Sequence, residues 1–238
     1  EVHVLLRPGA RLWRLAGVEG RVQAHTADLR DASAVATAVA GASPRTILHF
    51  GTYGAYESQA DARCSLETDI LGSYNLLEAG LRTRVLLFVN AGSSSEYGYK
   101  SSPMSETDRL DPSSVYAVAK AAQTHLCSLL AREADAAIVT FRLFSVFGPW
   151  EEPTRLIPRL IGRARAGLPL ELVSPETARD FVYVDDVLDA MLSFDRLVSL
   201  SGEVVNLGSG RQTALREVVD AVEEVLGVVC EKRWGTMP

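Results

Sequence analysis

Short apolar runs that alternate with longer amphipathic segments limit what this 238-residue chain can fold into. Each run has the length of a strand buried on both faces, and the runs lie at residues 1–6, 46–50, 85–90, 137–144 and 204–208. The segments between them carry apolar residues at helical spacing, at residues 31–40, 64–82, 113–133 and 213–226. This alternation predicts an α/β fold with a doubly wound parallel sheet that helices cover on both faces.

The alternation breaks after residue 146. Residues 147–179 are rich in Pro, Gly and Arg, a composition that interrupts regular structure and indicates a lobe outside the sheet. We therefore expect a main domain over residues 1–146 and a smaller lobe over residues 147–238, some segments of which return to the main domain.

The net charge and the cysteine content indicate which binding partners and which cellular compartment to expect. The net charge of −6 argues against a broad nucleic-acid-binding face and favours a small-molecule partner. Cys64, Cys127 and Cys230 are widely spaced and form no C-x-x-C pair, so we expect a reducing cytoplasm, with neither a disulfide framework nor a metal site. No apolar run reaches the roughly 18 residues of a membrane span, so we expect no membrane partner.

Tyr116 and Lys120 are the first candidates for chemistry, because lysine is rare in this chain. Its 24 basic residues include only three lysines, and Lys120 lies four residues after Tyr116 on the same face of a predicted helix. An ammonium beside a tyrosine favours the phenolate and lowers the pKa of the hydroxyl from its usual value of about 10. On spacing alone, a half-buried aromatic beside a solvated lysine is the more frequent arrangement.

A group of serines lies upstream, where a predicted strand ends. The segment AGSSSEYG, residues 91–98, directly follows the strand at 85–90, and open parallel sheets bind their ligands at the carboxyl ends of their strands. The hydroxyl of Ser93 or Ser94 could therefore bind a substrate oxygen. Serine-rich loops after strands are usually only turns, so the assignment depends on Tyr116 and Lys120 further along the chain.

Several short motifs span nearly the whole chain: HFG at 49–51, TDILGSYNLLEA at 68–79, SSSEYG at 93–98, YAVAK at 116–120, RLFSVFGP at 142–149, RDFVYVDDV at 179–187 and NLGSG at 206–210. Their order and spacing resemble the extended short-chain dehydrogenase/reductase family, in particular its nucleotide-sugar epimerases, dehydratases and 4-ketoreductases. The resemblance implies a Rossmann-like main domain, a smaller substrate-binding lobe, a nucleotide-sugar substrate and a homodimer.

The resemblance also implies roles for individual residues. Tyr116 would exchange a proton with the sugar hydroxyl. Lys120 would lower the pKa of Tyr116 and hold the nicotinamide ribose of the cofactor. Ser93 would orient the reacting oxygen, with Ser94 as the alternative in a shifted register. Further cofactor contacts fall on Asp28, Leu29, Phe50, Gly51 and Phe144. Substrate contacts fall on Ser145, Arg155 and Arg179, although Arg179 could instead form a surface ion pair with Asp180 or Asp185.

The chain departs from the family at its beginning. The family's first strand and Gly-rich turn, which binds the cofactor pyrophosphate, are not found, and the first residues resemble the second strand. We therefore expect this sequence to be part of a longer chain. A basic residue at the end of the second strand accommodates the 2′-phosphate of NADP, whereas a carboxylate binds the ribose of NAD. Arg7, with Arg11 nearby, favours NADP over NAD. A separate departure is Asp69, which stands where relatives commonly have Asn.

Four functions remain open. The first is a 4-ketoreductase for an NDP-4-keto-6-deoxyhexose, because Arg7 favours NADPH and a reductase consumes its cofactor. The second is an NAD-dependent 4-epimerase. A 4,6-dehydratase ranks third, because its acid–base pair usually follows the catalytic hydroxyl, where this chain has Ser94 and Ser95. The last is a non-catalytic dinucleotide-sensing protein, which does not need Tyr116 and Lys120.

Overall fold

The structure, a computed structural model, describes residues 1–56 and 58–236. Its strands are β1 (Val2–Leu6), β2 (Val22–Thr26), β3 (Thr46–His49), β4 (Leu87–Ser93), β5 (Ala137–Leu143), β6 (Ser145–Phe147), β7 (Leu170–Leu172), β8 (Ala178–Tyr183), β9 (Val204–Leu207), β10 (Gln212–Ala214) and β11 (Lys232–Trp234). Its α-helices are α1 (Ala32–Ala42), α2 (Ala62–Leu66), α3 (Ser73–Arg82), α4 (Val115–Leu130), α5 (Leu156–Arg165), α6 (Val184–Met191), α7 (Phe194–Val198) and α8 (Leu215–Leu226).

Local side chains determine where the predicted helices begin. Asp31 and Ser114 each accept a hydrogen bond from the backbone N–H three residues later, at 3.0 and 3.1 Å, and so begin α1 and α4. The single helix predicted at residues 64–82 is interrupted by a π-helical turn, Glu67–Gly72, between α2 and α3. Such turns are rare and occur frequently at functional sites.

The first of two compact units comprises Glu1–Leu143 and Met191–Asn206. Its main sheet has the strand order β3-β4-β5-β9, with β3, β4 and β5 parallel, and β1 pairs in parallel with β2 in a separate sheet. Strands β4 and β5 are buried along nearly their whole length, as their continuous apolar runs predict. An apolar cluster with side chains from α1, α3, β4 and β5 forms the core, including Val35, Leu77, Phe88 and Ile138.

A groove of about 840 Å³ in the first unit is lined by both β1 and β3. Among the described residues each strand has a hydrogen-bonded neighbour on one side only, β2 for β1 and β4 for β3. Leu192 and Phe194 contribute apolar side chains to the same groove.

The second unit comprises Phe144–Ala190 and Leu207–Pro238. Strand β8 pairs in parallel with β6 and antiparallel with β10, while β7 pairs in parallel with β11. Helices α5 and α8 and strand β7 supply its core, which consists of Leu160, Leu170, Leu172, Leu215 and Val219. Substrate binding by this unit stays a prediction.

The order of strands and helices predicted from the sequence is confirmed, and so is the α/β fold with a parallel sheet. The five predicted strands correspond to β1, β3, β4, β5 and β9, with ends that shift by no more than three residues. Strand β2 was not predicted, because its sequence VQAHT is half polar and three of its residues are exposed. Within the described part of the chain, none of the helices combines the length and the apolar character needed to cross a membrane.

Glu96 and Arg142 form an ion pair inside the first unit. The carboxylate Oε2 lies 2.8 Å from Arg142 Nε, and the two side chains are 0% and 4% exposed. The same carboxylate accepts hydrogen bonds from Ser93 N at 2.8 Å and Thr124 Oγ1 at 3.0 Å. Gly92 permits this approach, because a Cβ there would lie 2.8 Å from Glu96 Oε1. The pair thus connects the ends of β4 and β5 with α4.

The guanidinium of Arg142 extends this network towards β9. It donates to the hydroxyl of Tyr97 at 2.8 Å, and that hydroxyl donates to Asn206 Oδ1 at 2.7 Å. Asn206 in turn donates its backbone N–H to Glu106 at 2.8 Å and its side-chain N–H to Met104 O at 3.0 Å. Burial raises the pKa of Tyr97, so its hydroxyl keeps the proton that it donates.

Replacing Arg142 by Met should destabilise the chain strongly, because it leaves the carboxylate of Glu96 buried without a counter-charge. We expect a loss of about 3–5 kcal/mol in the free energy of unfolding, measured by urea denaturation. The double variant Glu96→Gln/Arg142→Met has no unpaired charge and should recover part of that loss. A loss below about 1 kcal/mol in the single variant would show that the pair behaves like an exposed one.

Candidate active site

Lys120 lies in α4 and is only 3% exposed, although it carries an ammonium group. Its Nζ donates hydrogen bonds to Ala91 O on β4 at 2.7 Å and to Gln123 Oε1 at 2.7 Å. Burial lowers the pKa of this ammonium, while the negative charges of Asp69 and Glu96 act in the opposite direction. Because an ammonium has three donors, these two bonds orient the third for a further acceptor.

A chain of buried side chains orients Gln123 behind Lys120. Ser73 Oγ donates to Asp69 O at 2.7 Å and accepts from Gln123 Nε2 at 2.7 Å. Since the single proton of Ser73 is used, His49 Nε2, at 2.8 Å, must donate to the same oxygen. Burial, with a contribution from the charge of Lys120, lowers the pKa of His49 to about 3, so its ring is neutral. The amide of Gln123 consequently turns its oxygen towards the ammonium.

Asp69, the departure from the common Asn, is a fully buried acid in the π-helical turn. Its carboxylate accepts hydrogen bonds from Tyr53 N at 2.9 Å and Ser65 Oγ at 3.2 Å. Burial raises the pKa of this carboxyl, and the charge of Lys120 and the hydrogen bonds act against that rise. Asp69 and Lys120 therefore act on each other as buried opposite charges.

Tyr116 lies in the first turn of α4 and is half-buried, four residues before Lys120. The chain at Gly54 passes close to it, since a Cβ on that glycine would lie 3.4 Å from Tyr116 Cβ. Helical spacing places both side chains on one face of α4, as the sequence predicts. The hydrogen bond of Lys120 to Ala91 O then joins this face to the end of β4.

The two candidate serines differ in their local structure. Ser93 is the last residue of β4, and its Oγ lies 2.6 Å from Ser95 Oγ. Ser94 begins a 3₁₀ turn, which Glu96 closes by accepting the backbone N–H of Ser93. The side chains of both serines are partly exposed. The choice of Ser93 over Ser94 stays a prediction.

Three more strand ends carry residues that are predicted to bind the cofactor. Arg7 follows β1, Asp28 and Leu29 follow β2, and Phe50 and Gly51 follow β3. A Cβ on Gly51 would lie 2.6 Å from Leu29 Cδ1, so the Leu29 side chain packs against the glycine that follows β3. Arg7 and Phe50 are exposed. All five residues lie at carboxyl ends of parallel strands, where a ligand is expected.

Arg30 is an additional charged residue at this edge. Its guanidinium binds Asp28 through Nη2 at 2.7 Å and Nε at 3.0 Å. These hydrogen bonds hold the pKa of Asp28 at about 2, with a smaller contribution from the charge of Arg7. The carboxylate of Asp28 is thus paired with Arg30, and the charge of Arg7 adds to the positive charge at this edge.

The second unit contains a cavity of about 320 Å³, which collects the three residues predicted to bind the substrate. Its lining includes Ser145, Arg155, Arg179, Phe147, Phe181 and Glu151. Arg179 donates to Ala178 O at 2.8 Å. The carboxylate of Asp180, the alternative partner that the sequence offered for Arg179, accepts hydrogen bonds from the backbone N–H groups of Ser209 and Gly210, at 2.7 and 2.9 Å. Phe144, beside Ser145, donates its backbone N–H to Leu207 O at 3.1 Å.

The sequence pattern did not point to Gln123, His49 or Glu151. Gln123 has a usable signal, because it is a polar residue three positions after Lys120 and shares the buried face of that helix. His49 ends a predicted buried strand, where a polar residue must find a partner. Glu151 lies in an irregular segment and carries no comparable signal.

The profile of the NAD dependent epimerase/dehydratase family matches residues 1–208. Among curated proteins, the chain is 32% identical over 180 residues to an uncharacterized UDP-glucose epimerase, YtcB, of Bacillus subtilis, covering 75% of this chain and 53% of YtcB. The curated relatives are longer, and this chain spans about half to two thirds of their length.

Solved structures with the same fold include two sugar-nucleotide epimerases. The UDP-glucose 4-epimerase of Thermus thermophilus in complex with NAD is 30% identical with a TM-score of 0.85, covering 100% of this chain and 79% of that chain. The UDP-glucuronic acid 4-epimerase of Bacillus cereus, with UDP-glucuronic acid and NAD, is 25% identical with a TM-score of 0.79, covering 93% of this chain and 71% of that chain.

Acid should destabilise the chain through His49. Its pKa in the folded chain is about 3, below the ordinary 6.5, so below pH 6.5 the unfolded chain binds a proton that the folded chain excludes. Stability should therefore fall as the pH drops from 6.5 towards 3, by up to about 1.4 kcal/mol per pH unit from this group.

The variant His49→Gln should show a shallower pH dependence in urea denaturation between pH 7 and pH 4. His125 is exposed on α4, so His125→Gln serves as the matched control and should keep the slope of the wild type. Equal slopes for His49→Gln and the wild type would contradict a lowered pKa of His49 as a source of the acid sensitivity.

Proposed function

Because this chain belongs to the NAD-dependent epimerase/dehydratase family, we propose that it is a nucleotide-sugar 4-epimerase that uses NAD. The observation that carries the proposal is the buried Lys120, four residues after Tyr116 and hydrogen-bonded to the strand that ends at Ser93. A buried ammonium whose Nζ is bound by neutral oxygens is costly, so a position that maintains one is typical of a functional site.

In the proposed reaction Tyr116 takes the proton of the sugar 4-hydroxyl and later returns it. The ammonium of Lys120 favours the phenolate of Tyr116 and keeps one N–H for a ribose hydroxyl. Ser93, or Ser94 in the other register, donates a hydrogen bond to the reacting oxygen. When NAD is bound, its nicotinamide supplies the hydride exchange at the sugar carbon.

The residues at the strand ends fit a dinucleotide. Phe50 and Gly51 follow β3 and Leu29 follows β2, so a dinucleotide at this edge of the sheet would lie against residues from both strand ends. The relatives whose structures contain a dinucleotide contain NAD. Arg7 is the feature that favours NADP, and its side chain is exposed.

The alternative functions have less support. The 4-ketoreductase was favoured through Arg7 and NADPH, whereas the relatives described here are UDP-sugar epimerases. A 4,6-dehydratase needs an acid–base pair after the catalytic hydroxyl, and this chain has Ser94 and Ser95 at those positions. A non-catalytic sensor would not require the buried network around Lys120. Assembly as a homodimer in the cytoplasm stays a prediction.

For the substrate, we propose a nucleoside diphosphate hexose. Arg155 and Arg179 share the cavity of the second unit with Ser145, and two guanidinium groups suit the two charges of a diphosphate. The aromatic rings of Phe147 and Phe181 line the same cavity and offer an apolar surface to a base or a sugar. We take uracil as the base, because the names of the relatives described above specify UDP sugars.

The variant Tyr116→Phe should lose turnover by about 10²- to 10⁴-fold, because only the transferable proton is removed. Turnover is measured with UDP-glucose and NAD, and NAD affinity by calorimetry should stay within about twofold of the wild type. Tyr99→Phe is the matched control, since Tyr99 is 89% exposed. Undiminished turnover of Tyr116→Phe would remove this tyrosine from the mechanism.

Wild-type protein should bind NADH at least as tightly as NADPH, and Arg7→Ala should change both affinities by a similar, small factor. The reason is that Arg7 is exposed, where it would be only a surface charge, and that the related epimerase structures contain NAD. Fluorescence titration with both cofactors measures the ratio. If the wild type prefers NADPH by about tenfold or more and Arg7→Ala abolishes that preference, NADP is the cofactor and the 4-ketoreductase becomes the better proposal.

A further inference from the structure

Asp69 holds a short stretch of backbone that lies against Tyr116. Its Oδ1 accepts the backbone N–H of Tyr53 at 2.9 Å, and its Oδ2 lies 3.2 Å from Ser65 Oγ. The next residue, Gly54, has a φ of +96° and little room for a side chain. A Cβ there would lie 3.0 Å from Ser65 Oγ and 3.4 Å from Tyr116 Cβ. The carboxylate of Asp69 therefore fixes the backbone beside the proposed proton-transferring tyrosine.

Asp69 is also connected to Lys120 through a short chain of hydrogen bonds. Ser73 Oγ donates to Asp69 O and accepts from Gln123 Nε2, and Gln123 Oε1 accepts from Lys120 Nζ, each at 2.7 Å. Asp69 is fully buried, and Lys120 is almost so. Opposite charges in the interior interact more strongly than surface charges, because little water or salt screens them. One residue thus acts on both Tyr116 and Lys120.

The other titratable groups around Lys120 leave Asp69 as its counter-charge. Glu96 on the β4 side is already engaged in a buried ion pair. Burial raises the pKa of Cys127 on α4 to about 12 and lowers the pKa of His49 on β3 to about 3, so both are neutral at pH 7. Both oxygens of Asp69 have a hydrogen-bond donor beside them, which is the pattern of an ionised carboxylate.

We propose that Asp69 is a positioning residue for the 4-epimerase reaction, which holds the backbone against Tyr116 and supplies the buried counter-charge of Lys120. The inference rests on the proposed function, because Asp69 acts through these two side chains. Its negative charge favours the charged form of Lys120 and the neutral phenol of Tyr116, since a carboxylate attracts an ammonium and repels a phenolate. Asp69 therefore helps to set the pH range in which both side chains are ready to react.

The experiment compares the pH profile of kcat/KM for the full chain and its variant Asp69→Asn, with UDP-glucose as substrate and saturating NAD. Asparagine has the same shape and still accepts the N–H of Tyr53. It can donate to Ser65 Oγ, which also lies 3.1 Å from Tyr53 O and can donate there. The acid limb, which reports Tyr116 as the base, and the alkaline limb, which reports the charged Lys120, should both move to lower pH by about one unit.

Glu67→Gln is the matched control, because Glu67 lies in the same π-helical turn and its carboxylate pairs with the exposed Arg63 at 2.7 Å. This control should keep both limbs of the wild type. If Asp69→Asn lowers kcat/KM but leaves the limbs in place, or moves the acid limb to higher pH, Asp69 has only a packing role and the inference is wrong, with the proposed function intact. A wild type without turnover would overturn the proposed function and the inference together.

A second measurement does not depend on turnover. Urea denaturation of the wild type, Asp69→Asn, Lys120→Met and the double variant gives the coupling between the two charges. Each single variant leaves one buried charge without its counter-charge, whereas the double variant removes both. The double variant should therefore be more stable than the sum of the two losses predicts, by about tenfold or more in the unfolding equilibrium constant. Additive losses would show that the two charges do not act on each other, and the inference would fail.

Discussion

The geometry of the proposed active site depends on the burial of one ion pair, Glu96 with Arg142. Neither charge is stable there alone, because removing one partner of a buried pair costs about 3–5 kcal/mol of folding free energy. Glu96 also holds the backbone of Ser93 and the hydroxyl of Thr124, and this sets the end of β4 against α4. The carboxylate therefore holds in place the strand end that carries the candidate serines.

The position of Lys120 follows from that contact between β4 and α4. Its ammonium reaches Ala91 O and Gln123 Oε1, two neutral oxygens that are themselves fixed by the sheet and by Ser73. An arginine would bring five donors in a planar fork, and the two fixed acceptors match the compact ammonium of a lysine better. The choice of lysine over arginine at position 120 thus has a structural reason and, in the proposed mechanism, a chemical one.

The sheet and the helices were predictable where the determining interactions are local. Continuous apolar runs mark β4 and β5, and the capping residues Asp31 and Ser114 mark the beginnings of α1 and α4. The π-helical turn at Glu67–Gly72 was not predictable, because the helical apolar pattern continues through it. Strand β2 was missed because exposed residues interrupt its pattern.

Spacing along the chain was enough to establish the strand and helix order, the common helix face of Tyr116 and Lys120, and the strand-end position of Ser93. These features depend on a few neighbouring residues, which periodicity and capping report. The partners of the buried polar groups emerge only in the folded chain: Arg142 for Glu96, 46 residues away, and Ser73 for Gln123, 50 residues away. The same is true of the place of Glu151 in a cavity lining. Periodicity states which side of an element is buried, but the group that packs against it comes from distant segments whose contacts form only on folding.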